Sequence, residues 1–286
     1  MEFVTQATNS RCTLALLAPP NADIPEHFEN VESDPSSHQE LLAGMQRLRG
    51  QLYLSDGAIR RSQLSRDGRH LSPIDDTAWH LLAVSPQGEV LGCARYVSHS
   101  DRVSFSELGV SKAAIAGCPE WGSHFQTAVE REIALARANK VAYVEVGGWA
   151  LANELRYSME AVRIALSSYS LARALGGCIG IGTVTRRHCS STILRRIGGR
   201  ALTTESGSLP HYFDPGYGCE MEILRFDSSA PNHRFEDRIM ELYQLLGETP
   251  VIRPENPLYN LGGVIERYQP EIPVGWPFRP ALVDAI

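Results

Sequence analysis

The fold is decided by the stretch Val141–Gly199, which reads VAYVEVGGWALANELRYSMEAVRIALSSYSLARALGGCIGIGTVTRRHCSSTILRRIGG. Its alternating valines predict a strand, and this strand runs into Gly147-Gly148. Paired glycines within a strand indicate a β-bulge, or a place where another backbone or a ligand approaches closely. Close packing alone would require the same glycines, so both explanations stay open at this point.

The remainder of this stretch predicts a strand–helix–strand–helix unit. Apolar residues recur at helical spacing over 162–175, and Gly176-Gly177 follows them, as glycine commonly follows a helix. A buried strand over 178–184 and a short helix over 191–197 complete the unit. Such an order predicts two neighbouring parallel strands. If the bulged strand splays from its neighbour, the gap fits an extended ligand with amide groups, such as a pantetheine arm.

Composition excludes several classes of protein. The chain has 286 residues, a formal net charge of −6 and a pI near 5.9, which argue against general nucleic-acid binding. Six scattered cysteines without a C-x-x-C pair predict a reduced, cytoplasmic protein with neither disulfides nor a metal site. The sequence has no run of about 18 apolar residues, so we expect no membrane span.

The chain divides into three predicted segments. Residues 1–38 are rich in Pro, Ser and Asn, and we expect an irregular arm there. Residues 39–228 form the main domain, which adds to the central unit helices over 39–54 and 121–138, a hairpin over 78–97 and a strand over 219–226. Residues 229–286 are predicted to hold a helix over 235–246 and a Pro-rich tail packed on the domain.

Four short segments carry a resemblance to a known family. They are LGCARY (91–96), VEVGGWAL (144–151), SSTILRRIGGRAL (190–202) and PHYFDPGYGCEMEILRFD (210–227). In this order and spacing they resemble the GNAT acyltransferases, and more specifically the branch of acyl-homoserine-lactone synthases and N-acyl amino acid synthases. The resemblance implies an α/β (α+β) fold: a mixed, strongly twisted GNAT-like sheet with a bulged central strand, flanked by helices and extended at both termini.

The resemblance also implies a reaction. A GNAT enzyme of this branch would move an acyl group, here expected to be fatty acyl, to the amine of an amino acid or a related metabolite. Its donor would be a phosphopantetheine thioester, carried by an acyl carrier protein or by coenzyme A. No metal is implied.

Two departures from the family pattern bear on the substrates. Gly148 stands where the central motif has an arginine, so a contact with the acceptor's carboxylate or lactone is absent or supplied by Arg95. The glycine-rich loop that wraps the coenzyme A pyrophosphate is missing after Leu151, where the chain reads ANELRYS. A carrier protein presents only the single phosphate of its pantetheine arm, so this loss favours a carrier donor.

The family's site residues are carried over as expectations. Glu145, on the central strand, resembles the family's general base. A carboxylate within a sheet is costly unless it has a partner, and an ion pair with Arg95 would also explain it. The backbone N–H groups of Gly148 and Trp149 are the candidates for holding the oxyanion. The expected substrate-binding residues are Arg49, Tyr53, Asp75, Asp76, Leu151, Arg156, Tyr157 and Ser158.

A basic set of side chains suggests how a donor would dock. An acidic carrier protein would suit Arg186, Arg187, Arg195 and Arg196, but a solvated basic helix face explains them too. A second reading of the chain is a non-catalytic GNAT-like module that binds an acyl carrier or another partner; the retained Glu145 and Arg95 favour the enzyme. Whether the Pro-rich tail caps an acyl tunnel, closes a homodimer or covers a sheet edge stays open.

Overall fold

A ten-stranded mixed sheet carries the fold in the computed structural model, which describes residues 12–156 and 158–254. The strands are β1 (Thr13–Leu17), β2 (Val31–Ser33), β3 (Trp79–Val84), β4 (Val90–His99), β5 (Ala142–Leu151), β6 (Cys178–Thr185), β7 (Arg200–Ala201), β8 (Thr203–Thr204), β9 (Gly207–Ser208), β10 (Tyr212–Asp214), β11 (Cys219–Asp227) and β12 (Val251–Arg253). The helices are α1 (Pro35–Ser55), α2 (Gly122–Ala138), α3 (Glu160–Ala174), α4 (Ser190–Ile197) and α5 (Glu236–Glu248). Along the sheet the order is β10-β11-β6-β5-β4-β3-β1-β12-β2, with β7 paired to β11, and β8 and β9 form a separate pair.

The centre of the sheet is the predicted parallel pair β5 and β6, which is open at one end. The pairing runs from Ala142 opposite Cys178 to Glu145 opposite Ile181, and it ends there. Beyond that point β6 continues against β11, while β5 continues against β4. The two strands therefore diverge after Glu145, as the glycine pair in the sequence predicts.

The predicted bulge lies at Gly147-Gly148. The register between β4 and β5 shifts between Cys93 and Arg95, and Gly148 has φ +60°, in the left-handed region. A Cβ added at Gly148 would lie only 3.2 Å from the Cβ of Arg95. Position 148 therefore requires glycine for its conformation as well as for space. An added Cβ at Gly147 would meet no atom within 4 Å.

Helices cover both faces of the sheet. Neighbouring residues of a strand point to opposite faces, so Tyr143 and Val144 identify the two cores. Val144 packs in the core that contains α3, and α5 packs against α3. Tyr143 packs in the core that contains α2. The apolar face of α1, with Met45, Leu48 and Leu52, forms a third cluster with β1, β3 and β4.

Both ends of the described chain add strands that no local sequence pattern predicts. β1 pairs antiparallel with β3 and parallel with β12, and β12 pairs in turn with β2. The prediction of irregular structure is therefore wrong for Thr13–Leu17, in which four of five residues are buried. The strand forms by pairing with residues 79–84 and 251–253. These partners are distant in the sequence, so a local pattern cannot reveal them.

Some predictions fall outside the described residues. The Pro-rich tail from residue 255 onward and Tyr157 are among them, so the expected packing of the tail stays a prediction. Within the described ranges, the helices are all too short or too polar to cross a membrane.

Candidate active site

A cavity of about 780 Å³ opens where β5 and β6 diverge. Both strands contribute to its wall, together with α3, α4 and the C-terminal part of α1. Its polar part is lined by Arg49, Tyr53, His70, Arg95, Glu145 and Tyr217. Its apolar part is lined by Trp149, Val162, Ala165, Leu194, Ile197 and Phe226, all of which pack in one cluster or against it. The cavity thus joins a charged pocket to an apolar arm.

Glu145 lies on β5 at the last residue pair with β6. Its Oε1 accepts the backbone N–H of Val110 at 2.8 Å, and its Oε2 accepts the N–H of Gly109 at 2.8 Å and His99 Nε2 at 3.0 Å. Burial by itself raises the pKa of Glu145, but these hydrogen bonds outweigh burial and hold the pKa below its ordinary value. Glu145 is therefore ionised at neutral pH, and its partner is His99 rather than Arg95.

Arg49 on α1 and Arg95 on β4 share the carboxylate of Asp75. Arg49 donates to Asp75 Oδ1 at 2.8 Å and to Oδ2 at 2.5 Å, and Arg95 Nη1 donates to Oδ1 at 3.1 Å. Arg49 and Asp75 are almost fully buried, whereas the side chain of Arg95 keeps 22% of its exposure. Burial raises the pKa of Asp75, but the two arginines outweigh it and hold that pKa below its usual range. The cluster consequently carries a net positive charge.

This arginine cluster lies beside the bulge. A Cβ on Gly148 would be 3.6 Å from Arg49 Nη1 and 3.2 Å from Arg95 Cβ. The structure therefore places two predicted residues, Arg49 and Arg95, next to Gly148, the position at which the resemblance implies an arginine.

Only one of the two adjacent acids belongs to the cluster. Asp75 is 2% exposed and bonds both arginines, whereas Asp76 is exposed, and neither is among the described residues that line the cavity. Both residues lie in the 3₁₀ turn Pro73–Thr77, which turns their side chains in different directions. Asp75 thus bonds both arginines and Asp76 does not belong to this cluster, while a contact of either acid with a substrate stays a prediction.

Aromatic side chains enclose the arginines. The rings of Tyr53 and His70 meet edge to face with centroids 5.4 Å apart. Tyr217, from the turn between β10 and β11, also lines the cavity. Burial raises the pKa of both tyrosines, so their hydroxyls stay protonated at neutral pH and can donate hydrogen bonds.

Asp56, just after α1, is contacted by basic side chains from the segments that follow β5 and β6. Arg187 donates to the Asp56 carbonyl and to the Gly218 carbonyl, each at 2.6 Å. His188 Nε2 lies 3.3 Å, and Arg156 Nη2 3.9 Å, from Asp56 Oδ1. All four side chains of this Asp56 cluster (Asp56, Arg156, Arg187, His188) line the cavity, as do Leu151 and Ser158.

The other arginines expected to contact a carrier protein differ in the hydrogen bonds and ion pairs that they already form. Arg195 forms an ion pair with the buried Glu222, and Arg186 contacts His211 at 2.9 Å and Glu220 at 3.7 Å. Arg196 is exposed, and its side chain has no hydrogen bond or ion pair to the described residues. None of these three lines the cavity as far as the chain is described, so they lie on the outer surface around it.

Several residues of the site escape sequence reasoning. His99, Gly109 and Val110 hydrogen-bond to Glu145, yet no sequence pattern indicates a role for them, and 98–118 is predicted to be a loop. Gly109 is required by space, because a Cβ there would lie 3.2 Å from Glu145 Oε1, but a single glycine in a loop does not reveal this from the sequence. The exposed Lys112 follows in the same segment and also lines the cavity.

Within the described part of the chain, no group of three or more His, Cys, Asp or Glu side chains is placed to hold a metal ion.

Comparisons with known proteins identify the fold. No protein-family model matches the chain, and no curated protein sequence does. Among solved structures, BjaI, described as a CoA-dependent acyl-homoserine lactone synthase, matches in its complex with SAM and isopentyl-CoA (TM-score 0.52, 12% identity, 86% of this chain and 94% of that chain). Its complex with MTA matches similarly (TM-score 0.51, 13% identity, 86% and 94%). At such identities the likeness concerns the fold, and it confirms the predicted GNAT-like fold of the acyl-homoserine-lactone-synthase type.

Proposed function

We propose that this chain, with the fold of an acyl-homoserine lactone synthase, is an N-acyltransferase. It would move an acyl group from a pantetheine thioester to the amine of an amino acid or related metabolite. The observation that carries this proposal is a single cavity in which an ionised carboxylate and an arginine cluster meet an apolar arm at a β-bulge. Each part matches one demand of the reaction.

The chemistry needs a base and a site for the departing thiol. The amine nitrogen attacks the thioester carbonyl, a C–N bond forms, and the C–S bond breaks to leave an amide and a thiol. As the C–N bond forms, the nitrogen-bound proton becomes acidic, so an ionised carboxylate of low pKa such as Glu145 can accept it, directly or through a water. The proton then returns to the thiolate. Backbone N–H groups of Gly148 and Trp149 remain the proposed donors to the oxyanion.

The arginine cluster favours an acceptor that carries an anionic group. Arg95 lines the cavity, and within the described residues its Nη2 has no hydrogen-bond partner. A guanidinium with a free edge binds carboxylates well, because its N–H groups match carboxylate geometry. An amino acid would thus place its carboxylate at Arg95 and its amine towards Glu145.

The Asp56 cluster favours a donor that carries phosphate. Arg156 and His188 share one carboxylate oxygen at 3.9 and 3.3 Å, contacts that a phosphate could replace. The pantetheine phosphate is common to coenzyme A and carrier proteins, so the cluster fits either donor. The apolar arm beyond Trp149 would take the acyl chain.

The proposal is tested by incubating the protein with acyl-coenzyme A or acyl-carrier-protein thioesters and pooled amino acids. Thiol release and new amides are followed by mass spectrometry. We expect an N-acyl product, and a loss of about 10²- to 10⁴-fold in Glu145→Gln, because proton transfer by a positioned side chain contributes that much. Glu154→Gln is the matched control, since Glu154 is exposed on the turn after β5.

Two outcomes of this experiment would contradict the proposal. Equal turnover in wild type and Glu145→Gln would remove Glu145 from the chemistry. Absence of any product, together with retention on an acyl-carrier-protein column, would replace the enzyme with the binding module.

A further inference from the structure

His99 contacts the carboxylate of Glu145 from the side away from the cavity. It is the last residue of β4, and its Nε2 lies 3.0 Å from Glu145 Oε2. Because a carboxylate oxygen only accepts, the His99 ring must carry its proton on Nε2. The two side chains are 13% and 11% exposed. Among the described residues, Glu145 belongs to the cavity wall and His99 does not.

The hydrogen bonds on Glu145 are unevenly divided between its oxygens. Oε2 accepts from His99 and from the Gly109 amide, which fills its two acceptor positions. Oε1 accepts only from the Val110 amide, so one position on this oxygen stays open. Gly109 packs against the carboxylate so closely that a Cβ would lie 3.2 Å from Oε1. The carboxylate therefore has one fixed orientation.

We propose that His99 is a positioning residue of the acyl transfer: by occupying Glu145 Oε2 it leaves Oε1 as the oxygen that accepts the proton from the incoming amine. This inference rests on the proposed function. His99 acts through Glu145 and touches neither substrate. Without it, the carboxylate would lose a charge-assisted hydrogen bond and could turn Oε2 towards the cavity.

Other titratable groups around His99 do not replace this contact. From β5, Tyr143 is the residue paired with His99, and burial keeps its hydroxyl protonated. From the segment after β4, Glu107 acts on His99 through its charge, but its carboxylate is bonded to Ser104. Glu145 is thus the carboxylate to which His99 is bonded.

The first measurement follows ionisation of Glu145 and needs no turnover. Carboxyl carbons of ¹³C-glutamate-labelled protein are titrated by NMR in wild type, His99→Leu and His99→Gln, with Glu145→Gln used to assign the resonance. A hydrogen bond to the charged form lowers a carboxyl pKa, so we expect the Glu145 titration to move to higher pH in His99→Leu. Glutamine keeps an N–H near the same place, so His99→Gln should restore part of the shift. An unchanged titration in His99→Leu would overturn the proposal.

The second measurement is the pH profile of acyl transfer. We expect kcat of His99→Leu to fall about tenfold while KM of the acceptor changes less than about threefold, with the acidic limb of kcat displaced to higher pH. A merely structural role would lower the melting temperature without displacing that limb, and this result would also overturn the proposal. If the Glu145 titration shifts in His99→Leu but the wild-type protein transfers no acyl group, the proposed function is refuted, while the coupling between His99 and Glu145 stands.

Discussion

Asp75 and Asp76 are neighbours in the chain, yet they have opposite surroundings. The sequence shows two acids ahead of a strand and predicts both for the site, because a local pattern does not say which one the turn sends inward. Glu145 is easier to predict, since a carboxylate inside a strand must have a partner. Its actual partner could not be predicted, because the register of β4 against β5 pairs Glu145 with Val97 and leaves His99 two residues further along the same strand.

Asp75→Asn should strongly destabilise the protein. Arg49 is buried with Asp75 as its carboxylate partner, so the substitution leaves a buried guanidinium with a neutral amide. Loss of one member of such a pair costs about 3–5 kcal/mol. The free energy of unfolding, measured by urea denaturation at pH 7, should fall by that order, and a change below about 1 kcal/mol would contradict the buried-pair interpretation.

Asp76→Asn is the matched control, and acidification is a second one. Because Asp76 is exposed, its substitution should change stability by less than about 0.5 kcal/mol. The pKa of Asp75 is lowered in the folded protein, so its contribution is present above its unfolded pKa of about 3.9 and is lost as the pH falls through the folded value. The difference between wild type and Asp75→Asn should therefore shrink below about pH 4.

At the scale of elements, the bulge in β5 is the feature that the sequence predicts most directly. Gly148→Ala should lower the free energy of unfolding by about 1–2 kcal/mol, because an L-residue pays that amount in the left-handed region. The added methyl group also meets Arg95 at 3.2 Å, so acceptor binding should weaken with stability. Denaturation and the acceptor KM are the two measurements.

Gly147→Ala controls for the loss of a glycine from the same strand. An added Cβ there meets nothing within 4 Å, and its φ is ordinary. We expect unchanged or slightly higher stability, because alanine restricts the unfolded chain more than glycine does. If both substitutions cost the same, strand propensity and not the bulge would explain the glycines.

Elements with strong local patterns are predicted well, and those that depend on distant partners are not. The helix over 39–54 and the hairpin over 78–97 appear with ends moved by a few residues, as α1 and as β3 with β4. β1 is not predicted, because its five residues show no alternation and form a strand only by pairing with β3 and β12. The segment 98–118 shows no periodicity, and yet its Gly109 and Val110 amides hold Glu145.

The whole molecule combines a negative net charge with a positively charged cavity. The chain has a formal charge of −6, but the cavity wall carries more basic than acidic side chains: Arg49, Arg95, Lys112, Arg156 and Arg187 against Asp56, Glu145 and Asp214. Because like charge elsewhere would repel the proposed anionic donor, the field would favour its arrival at this opening. The cavity is thus more positive than the molecule as a whole.

Salt should therefore weaken donor binding more than catalysis. Raising sodium chloride from about 50 to about 300 mM shortens the distance over which charges act, so KM for acyl-coenzyme A should rise severalfold while kcat stays within about twofold. An acyl-pantetheine without phosphate is the matched donor, and its KM should change little. Equal salt effects on both donors would assign the response to the apolar arm instead of the basic side chains.

The place of β12 in the sheet has a consequence for how the protein is made. β2 has β12 as its strand partner, and the paired residues Val31 and Val251 are roughly 220 residues apart in the chain. During synthesis β2 therefore lacks its strand partner until almost all of the described chain has left the ribosome. Long-range pairing of this kind slows folding, because the entropy of closing the loop is lost before the contact is gained. The edge of the sheet formed by β2 and β12 should thus be among the last parts of the described sheet to assemble.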